Sequence, residues 1–449
     1  MDDIIWLKEL SKRNVKEAGL KAAYLGELFN AGFSIPNGFV ISADCMKEFL
    51  LANNLNDKIV SLIKKSDDLN ETSREIHQLI LNDNISNRLQ SEILEAYETL
   101  NVNSELREAK LDVLNLIKSG RGNAIVSVRG SANIQNLSFA GQQNTFLNVT
   151  GGKKLIETIK KCWASLYTPR ALSYFRTNNL NNIFSGVIIQ KMIDFQKSGV
   201  IFTVNPITNN RNEMIIESGI GLGQSIVDGS VKPHIYVIDK NTLEVKNKII
   251  NRQKTKVIRD VHNNETVRKK IFDDEHKETL TNYEIGELVK LAIEAENHYG
   301  TPLNLEFGLE KKPYLLQARD ITTLNKEIKI HDLIGEVILN GQSVSSGFAI
   351  GKASVVRNAN SSFEKGDILV SESLDVNLLP LIRKAKGVVV NEGGSLSNLG
   401  IICREWEIPV VVSDNATSEL RNGLIVSIDG YNGKVFKGEA KAKVEIVDI

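Results

Sequence analysis

The residues able to act on a phosphate are dispersed along the chain but patterned. The segment VSVRGSANIQNLSFAGQQNTF, residues 126–146, joins two strand-like runs through a loop of small and amide side chains. Gly130, Ser131 and Gly141 let backbone N–H groups approach anionic oxygens, and Arg129 at the strand end supplies a fixed cation. Taken alone, the segment reads more simply as a long β-hairpin with a solvated tip. Glu306 on LNLEF and Gln317 on YLLQAR are expected to face each other across a hairpin, with Arg319 two residues further along. A carboxylate and an amide oxygen are hard ligands that suit Mg2+, which keeps several waters and takes its other ligands from phosphates. Arg319 would clamp those phosphates. A surface Glu–Arg pair is the plainer reading of the same residues.

A third constellation lies in NEGGSLSNLGIICREWEIPVVV, where two glycines and Ser395 stand at the mouth of a helix. Ser395 is expected as the N-cap, with Asn398 as the third helical residue. A phosphorylated side chain would be favoured there. Asn398 cannot be that side chain, because its amide nitrogen lone pair is delocalised. Other candidates carry less. ESGIGLGQS, with Gly219, Gly221 and Gly223, lacks the Lys-Ser/Thr pair of a phosphate loop and is read as a tight turn. The six histidines show no metal-binding spacing. Cys45, Cys162 and Cys403 form no CxxC pair, which argues against a disulfide framework or a zinc site, and Cys403 is read as core.

These residues need elements to position them. KEAGLKAAYLGELFN, residues 16–30, has Leu20, Tyr24, Leu25 and Leu28 at helical spacing, which puts Lys21 near a helix start. Residues 46–118 read as mostly helical, with residues 81–100 as the clearest amphipathic piece. From Ala124, short β-rich runs bounded by Gly, Asn and Pro predict a mixed sheet, and charged helical sequence returns over about 264–299. Residues 321–340 suit a connector, and beyond it six strand candidates and one helix predict a compact β/α module. The 449 residues carry 55 basic and 55 acidic side chains, so no bulk charge draws the chain to nucleic acid. An acidic N-terminus and the lack of any long apolar run predict a cytoplasmic protein that neither spans nor binds a membrane.

Read together, GLKAAYLGEL, IPNGFV, VSVRGSA, SFAGQQNTFLNV, SGVIFTVNPIT, LEFGLEKKPYLLQAR and GGSLSNLGIICREWEIPVVV resemble the phosphoenolpyruvate synthase and pyruvate phosphate dikinase family over nearly the whole chain. The resemblance implies a multidomain α+β and α/β fold: an ATP-grasp nucleotide-binding domain over 1–325, a linker over 326–340, a swivelling phosphohistidine domain over 341–440 and a tail over 441–449. It implies ATP and Mg2+ as cofactors. Lys21, Arg129 and Arg319 would hold phosphates, Glu306 and Gln317 would bind Mg2+, Gln190 and Met192 would form the adenine hinge, and Glu217 is a further nucleotide contact. In the family a histidine takes the β-phosphoryl group, AMP and phosphate are released, and the mobile domain carries the phosphoryl group to an acceptor.

Two departures stand out. The family's histidine position is occupied by Asn398 in an otherwise intact context, as in an enzyme inactivated by one substitution or a nucleotide-binding pseudoenzyme acting as a non-catalytic subunit. Two domains account for the 449 residues, so the small-molecule acceptor is expected to bind at the domain interface or on a separate subunit. An ATP-grasp ligase that releases ADP is the remaining alternative, and the motif at the C-terminal helix mouth argues against it.

Overall fold

The computed structural model describes residues 2–65, 68–100, 123–133, 144–177, 180, 183–227, 231–260, 263, 265–271, 277–321, 335–358, 360–394 and 397–440. Gly141 and the tip of its loop, Ser395, most of the expected linker and the tail lie outside the described residues. By its internal contacts the chain divides into two units. The first comprises 1–194, 259–267 and 314–318, and the second 195–258, 268–313 and 319–449. This division differs from the sequence-based boundaries, because much of the expected nucleotide domain groups with the rear module.

The first unit is built on a five-stranded sheet of β1 (Ile4–Trp6), β2 (Gly38–Ile41), β3 (Val126–Ala132), β4 (Thr145–Val149) and β5 (Ser185–Lys191), in the order β1-β2-β5-β3-β4. Helices over 43–99 and the helix Gly152–Ala164 share one core with this sheet, centred on Phe39, Met46, Ile76, Ile93, Trp163 and Ile189. The amphipathic segment expected near 81–100 is the helix Asn87–Thr99, whose N-cap Ser86 accepts from the Leu89 N–H.

The N-terminal segment forms two helices rather than one, Val15–Ala18 and Leu20–Asn30, divided at Gly19. Gly19 has φ +82°, and a Cβ added there would lie 1.9 Å from the Ser131 carbonyl oxygen. That approach lets the Ser131 hydroxyl accept from the Ala22 N–H at 3.1 Å, supplying the acceptor that the glycine N-cap lacks. At the far end of the same helix Gly32, at φ +87°, closes a Schellman turn in which its N–H donates to Phe29 O and the Phe33 N–H to Leu28 O.

The middle of the chain supplies β6 (Lys197–Phe202), β7 (Glu213–Ile220), β8 (His234–Asp239), β9 (Val245–Ile249), β10 (Thr255–Asp260), β11 (Glu265–Lys270), β12 (Leu303–Leu309) and β13 (Pro313–Asp320). Six of them form a sheet in the order β13-β12-β6-β7-β8-β9, which realises the expected closing hairpin, while β10 and β11 pair separately. The helical reading of 264–299 is corrected: β11 occupies 265–270, and the helix is Asn282–Tyr299 with a Thr281–Glu284 capping box. In β11, Thr and Val interrupt the charged run and favour strand over helix. The glycine-rich run at 219–223 is the predicted tight turn, with Gly221 at φ +88° and its N–H donating to Gln196 O.

The rear module is one eight-stranded sheet of β14 (Val337–Asn340), β15 (Gln342–Ser345), β16 (Phe348–Val355), β17 (Ile368–Ser373), β18 (Gly387–Glu392), β19 (Val410–Val412), β20 (Ile425–Asp429) and β21 (Lys434–Lys437). All six expected strands are present. The expected linker end at 340 is corrected, because Val337–Asn340 pairs with β21. The buried runs Ile368–Val370 and Val388–Val390 form neighbouring parallel strands, as continuous apolar strands covered on both faces should.

Gly19→Ala should lower the stability of the first unit by about 2–4 kcal/mol, since it adds both a positive-φ penalty and a clash with backbone. Gly32→Ala shares the positive φ but has nothing within 4 Å, so it should cost only about 1 kcal/mol. Urea unfolding of the two variants checks the order, and equal midpoints would contradict the packing account.

Candidate active site

Arg129, expected at a strand end, instead stands at the centre of β3 and is 7% exposed. Its guanidinium donates through Nη1 to Leu316 O at 2.6 Å and through Nη2 to the Gln317 Oε1 at 3.0 Å. Both are charge-assisted bonds, and they fix the carboxamide that the sequence offered as a metal ligand. Two residues on from Arg129, Ser131 holds the first turn of the helix Leu20–Asn30, and with it Lys21. Lys21 lies near Cys162: burial pushes that thiol well above its ordinary value, and the Lys21 charge opposes the shift.

Gln190 is buried in β5, and its side-chain amide donates to Pro36 O at 3.0 Å. The Met192 N–H donates to Ile125 O at 2.9 Å. The structure therefore uses both residues to tie strand ends together.

In the second unit, sheet register does the positioning. Val200 on β6 stands opposite Glu306 of β12 on one side and Glu217 of β7 on the other, and Glu217 in turn stands opposite Ile235. Residues directly opposite one another share a face, so two carboxylates flank one valine, their backbones roughly 10 Å apart. Val200, Phe202, Ile215 and Ile235 make that face apolar. Glu217 is fully buried, whereas Glu306 is partly exposed.

Two arginines answer these carboxylates. Burial pulls the Arg319 guanidinium below its ordinary value, and the charges of Glu306 and Glu405 oppose that shift. Arg404 is pushed down to about 10 by burial, with Glu217 foremost among the charges that resist it and Arg319 adding to the depression. Arginine keeps its proton in proteins, so both are cations. Glu306, Arg319 and Glu217 thus fall in one charged neighbourhood. Among the described residues no three metal-ligating side chains converge.

Sequence reasoning assigned no role to Arg404. Its signal was a cation on a helix whose neighbouring positions Leu399, Ile402 and Cys403 are core, but its partners lie far away in the chain.

The helix carrying residue 398 spans Asn398–Glu405 and is capped by Ser397, whose Oγ accepts from the Gly400 N–H at 3.1 Å. The expectation that Ser395 caps it and that Asn398 is its third residue is corrected, since Asn398 is the first helical residue. The Ser397 hydroxyl also donates to Gly394 O at 2.8 Å, which fixes the start two residues later than expected. A Cβ added at Gly394 would lie 3.7 Å from the Glu217 Oε2, so the glycine loop at the helix mouth packs beside that buried carboxylate.

An ATP-grasp-type nucleotide domain followed by a mobile β/α module defines the class of protein. Residues 15–333 match the pyruvate phosphate dikinase AMP/ATP-binding domain, and residues 363–433 match the mobile domain of PEP-utilising enzymes. The chain belongs to the phosphoenolpyruvate synthase and pyruvate phosphate dikinase family. It is 34% identical to a phosphoenolpyruvate synthase of Pyrococcus furiosus, over 98% of this chain and 59% of that protein. It is also 34% identical to a probable phosphoenolpyruvate synthase of Methanocaldococcus jannaschii, over 100% of this chain and 38% of that protein. The chain therefore spans about two-fifths to three-fifths of the length of these relatives. Among the described residues, no helix is long and apolar enough to cross a membrane.

Arg129→Gln should lower the stability of the first unit by about 2–3 kcal/mol, because two charge-assisted bonds are lost and the Gln317 oxygen loses its donor. Arg129→Lys keeps the charge but cannot serve both acceptors, and should fall between Gln and the parent protein. Urea midpoints measure this order, and a Gln variant as stable as the parent would contradict it.

Proposed function

We propose that the chain is the nucleotide and carrier portion of an ATP-dependent dikinase-type phosphotransferase. ATP, a small-molecule acceptor and water give phosphorylated acceptor, AMP and phosphate, by way of a phosphohistidine at position 398 in the active form. The observation that carries this reading is the glycine loop at the mouth of the helix Asn398–Glu405, packed beside Glu217 on the face that also bears Glu306. A carrier residue has to approach the nucleotide's phosphates, and no ligase chemistry requires such a module there.

The residue roles are those the family resemblance implies, and charge supports the phosphate contacts. Lys21, Arg129 and Arg319 are assigned to phosphate oxygens, where cations stabilise the spread negative charge of a metaphosphate-like transition state. Glu306 and the Gln317 carboxamide would hold Mg2+, which when bound neutralises charge on the bridging phosphate oxygens. Gln190 and Met192 are assigned to the adenine and Glu217 to the nucleotide's sugar–phosphate side. An imidazole at 398 would be the nucleophile that divides one transfer into two, and movement of the module would let the acceptor react away from ATP. The relatives' printed name makes pyruvate the first acceptor to test. A separate acceptor-binding subunit fits the same scheme.

Asn398 itself favours one second reading, a non-catalytic nucleotide-binding subunit. Asn398→His separates the two when the protein is incubated with Mg2+ and ATP labelled at the β-phosphorus. The expected outcome is acid-labile label on the histidine variant with stoichiometric AMP, and none on the Asn398 protein. A histidine variant that binds ATP but takes up no label would overturn the phosphotransferase reading in favour of the subunit.

A further inference from the structure

Arg404 belongs to the rear module yet reaches out of it. Its Nη1 donates to Val344 O of its own module at 2.6 Å, while its guanidinium carbon lies 5.8 Å from the ring centroid of Phe202 on β6. Phe202 lies on the same sheet face as Glu217, the fully buried carboxylate whose charge acts most strongly on Arg404. Nη2 is buried and makes no hydrogen bond. The guanidinium thus meets the nucleotide-binding sheet through a ring face and a charge, without a bidentate carboxylate clamp. Contact of this kind gains from desolvation, yet leaves fewer directional bonds to break on separation.

We propose that Arg404 is a positioning residue that seats the rear module on the sheet, its guanidinium held over Phe202 and paired in charge with Glu217. Seating places the residue-398 helix mouth beside Glu217. The purpose of the seating rests on the phosphotransferase reading; the contact itself does not. An ion pair joins the same two parts, Lys232 with Asp414, but the Asp414 side chain is 82% exposed. Such a pair contributes little to docking and serves better as its reporter.

The test is zero-length carbodiimide cross-linking of Lys232 to Asp414 on the full chain without nucleotide, followed by peptide mass spectrometry. Arg404→Met keeps the length of the side chain and loses its charge, and Glu217→Gln removes the opposing charge while leaving the Arg404–Val344 bond in place. Each should slow cross-linking about threefold or more, and the double variant should be no slower than the slower single one, because both remove the same interaction. A general structural role for Arg404 would instead lower the melting temperature and leave the Glu217→Gln rate unchanged. An unchanged rate for folded Glu217→Gln would overturn the proposal. Slowed cross-linking with no label transfer in Asn398→His would leave the docking contact standing and remove only its phosphotransfer purpose.

Discussion

A guanidinium taken out of water must find a carbonyl or a carboxylate, and this constraint organises both units. Arg129 answers it with Leu316 O and the Gln317 oxygen, which fixes the middle of β13. Arg319 answers it with Glu306 and Glu405, and Arg404 with Val344 O and Glu217. Arg129 is held by neutral oxygens, whereas the charges of carboxylates act on Arg319 and Arg404. Cations held in this way can meet phosphate oxygens without reorganising, which is the main protein contribution to phosphoryl transfer.

The sheet register converts that constraint into a site. Because Val200 lies opposite both Glu306 and Glu217, one apolar residue sets the separation of two carboxylates. A slip of one residue in β6 would turn Val200 and Phe202 away from the face that bears the two carboxylates. Gly19 plays the corresponding part in the first unit: without a Cβ, the helix carrying Lys21 can close on Ser131.

The sequence carried the strands and hairpin of the phosphate-directed residues clearly, since those signals are local. The six rear strands, the tight turn at Gly221 and the core role of Cys403 all follow from short-range pattern. The remaining features depend on contacts between distant segments. Ser395 was the expected cap, but the Gly400 N–H donates to Ser397 Oγ and so starts the helix two residues later. β14 looked like connector because its partner, β21, lies about a hundred residues further along. Arg404 looked like an ordinary charged helix residue because Phe202 and Glu217 are brought to it by the fold alone.

On the proposed function, these cations and carboxylates grip a metal-bound triphosphate. Calorimetric titration of the chain with ATP, AMP and adenosine, each with and without Mg2+, tests it most directly. The account predicts saturable binding of ATP that needs Mg2+ and weakens at least tenfold when the β- and γ-phosphates are removed. Equal affinity for ATP and adenosine, or no binding of ATP in the presence of Mg2+, would contradict it.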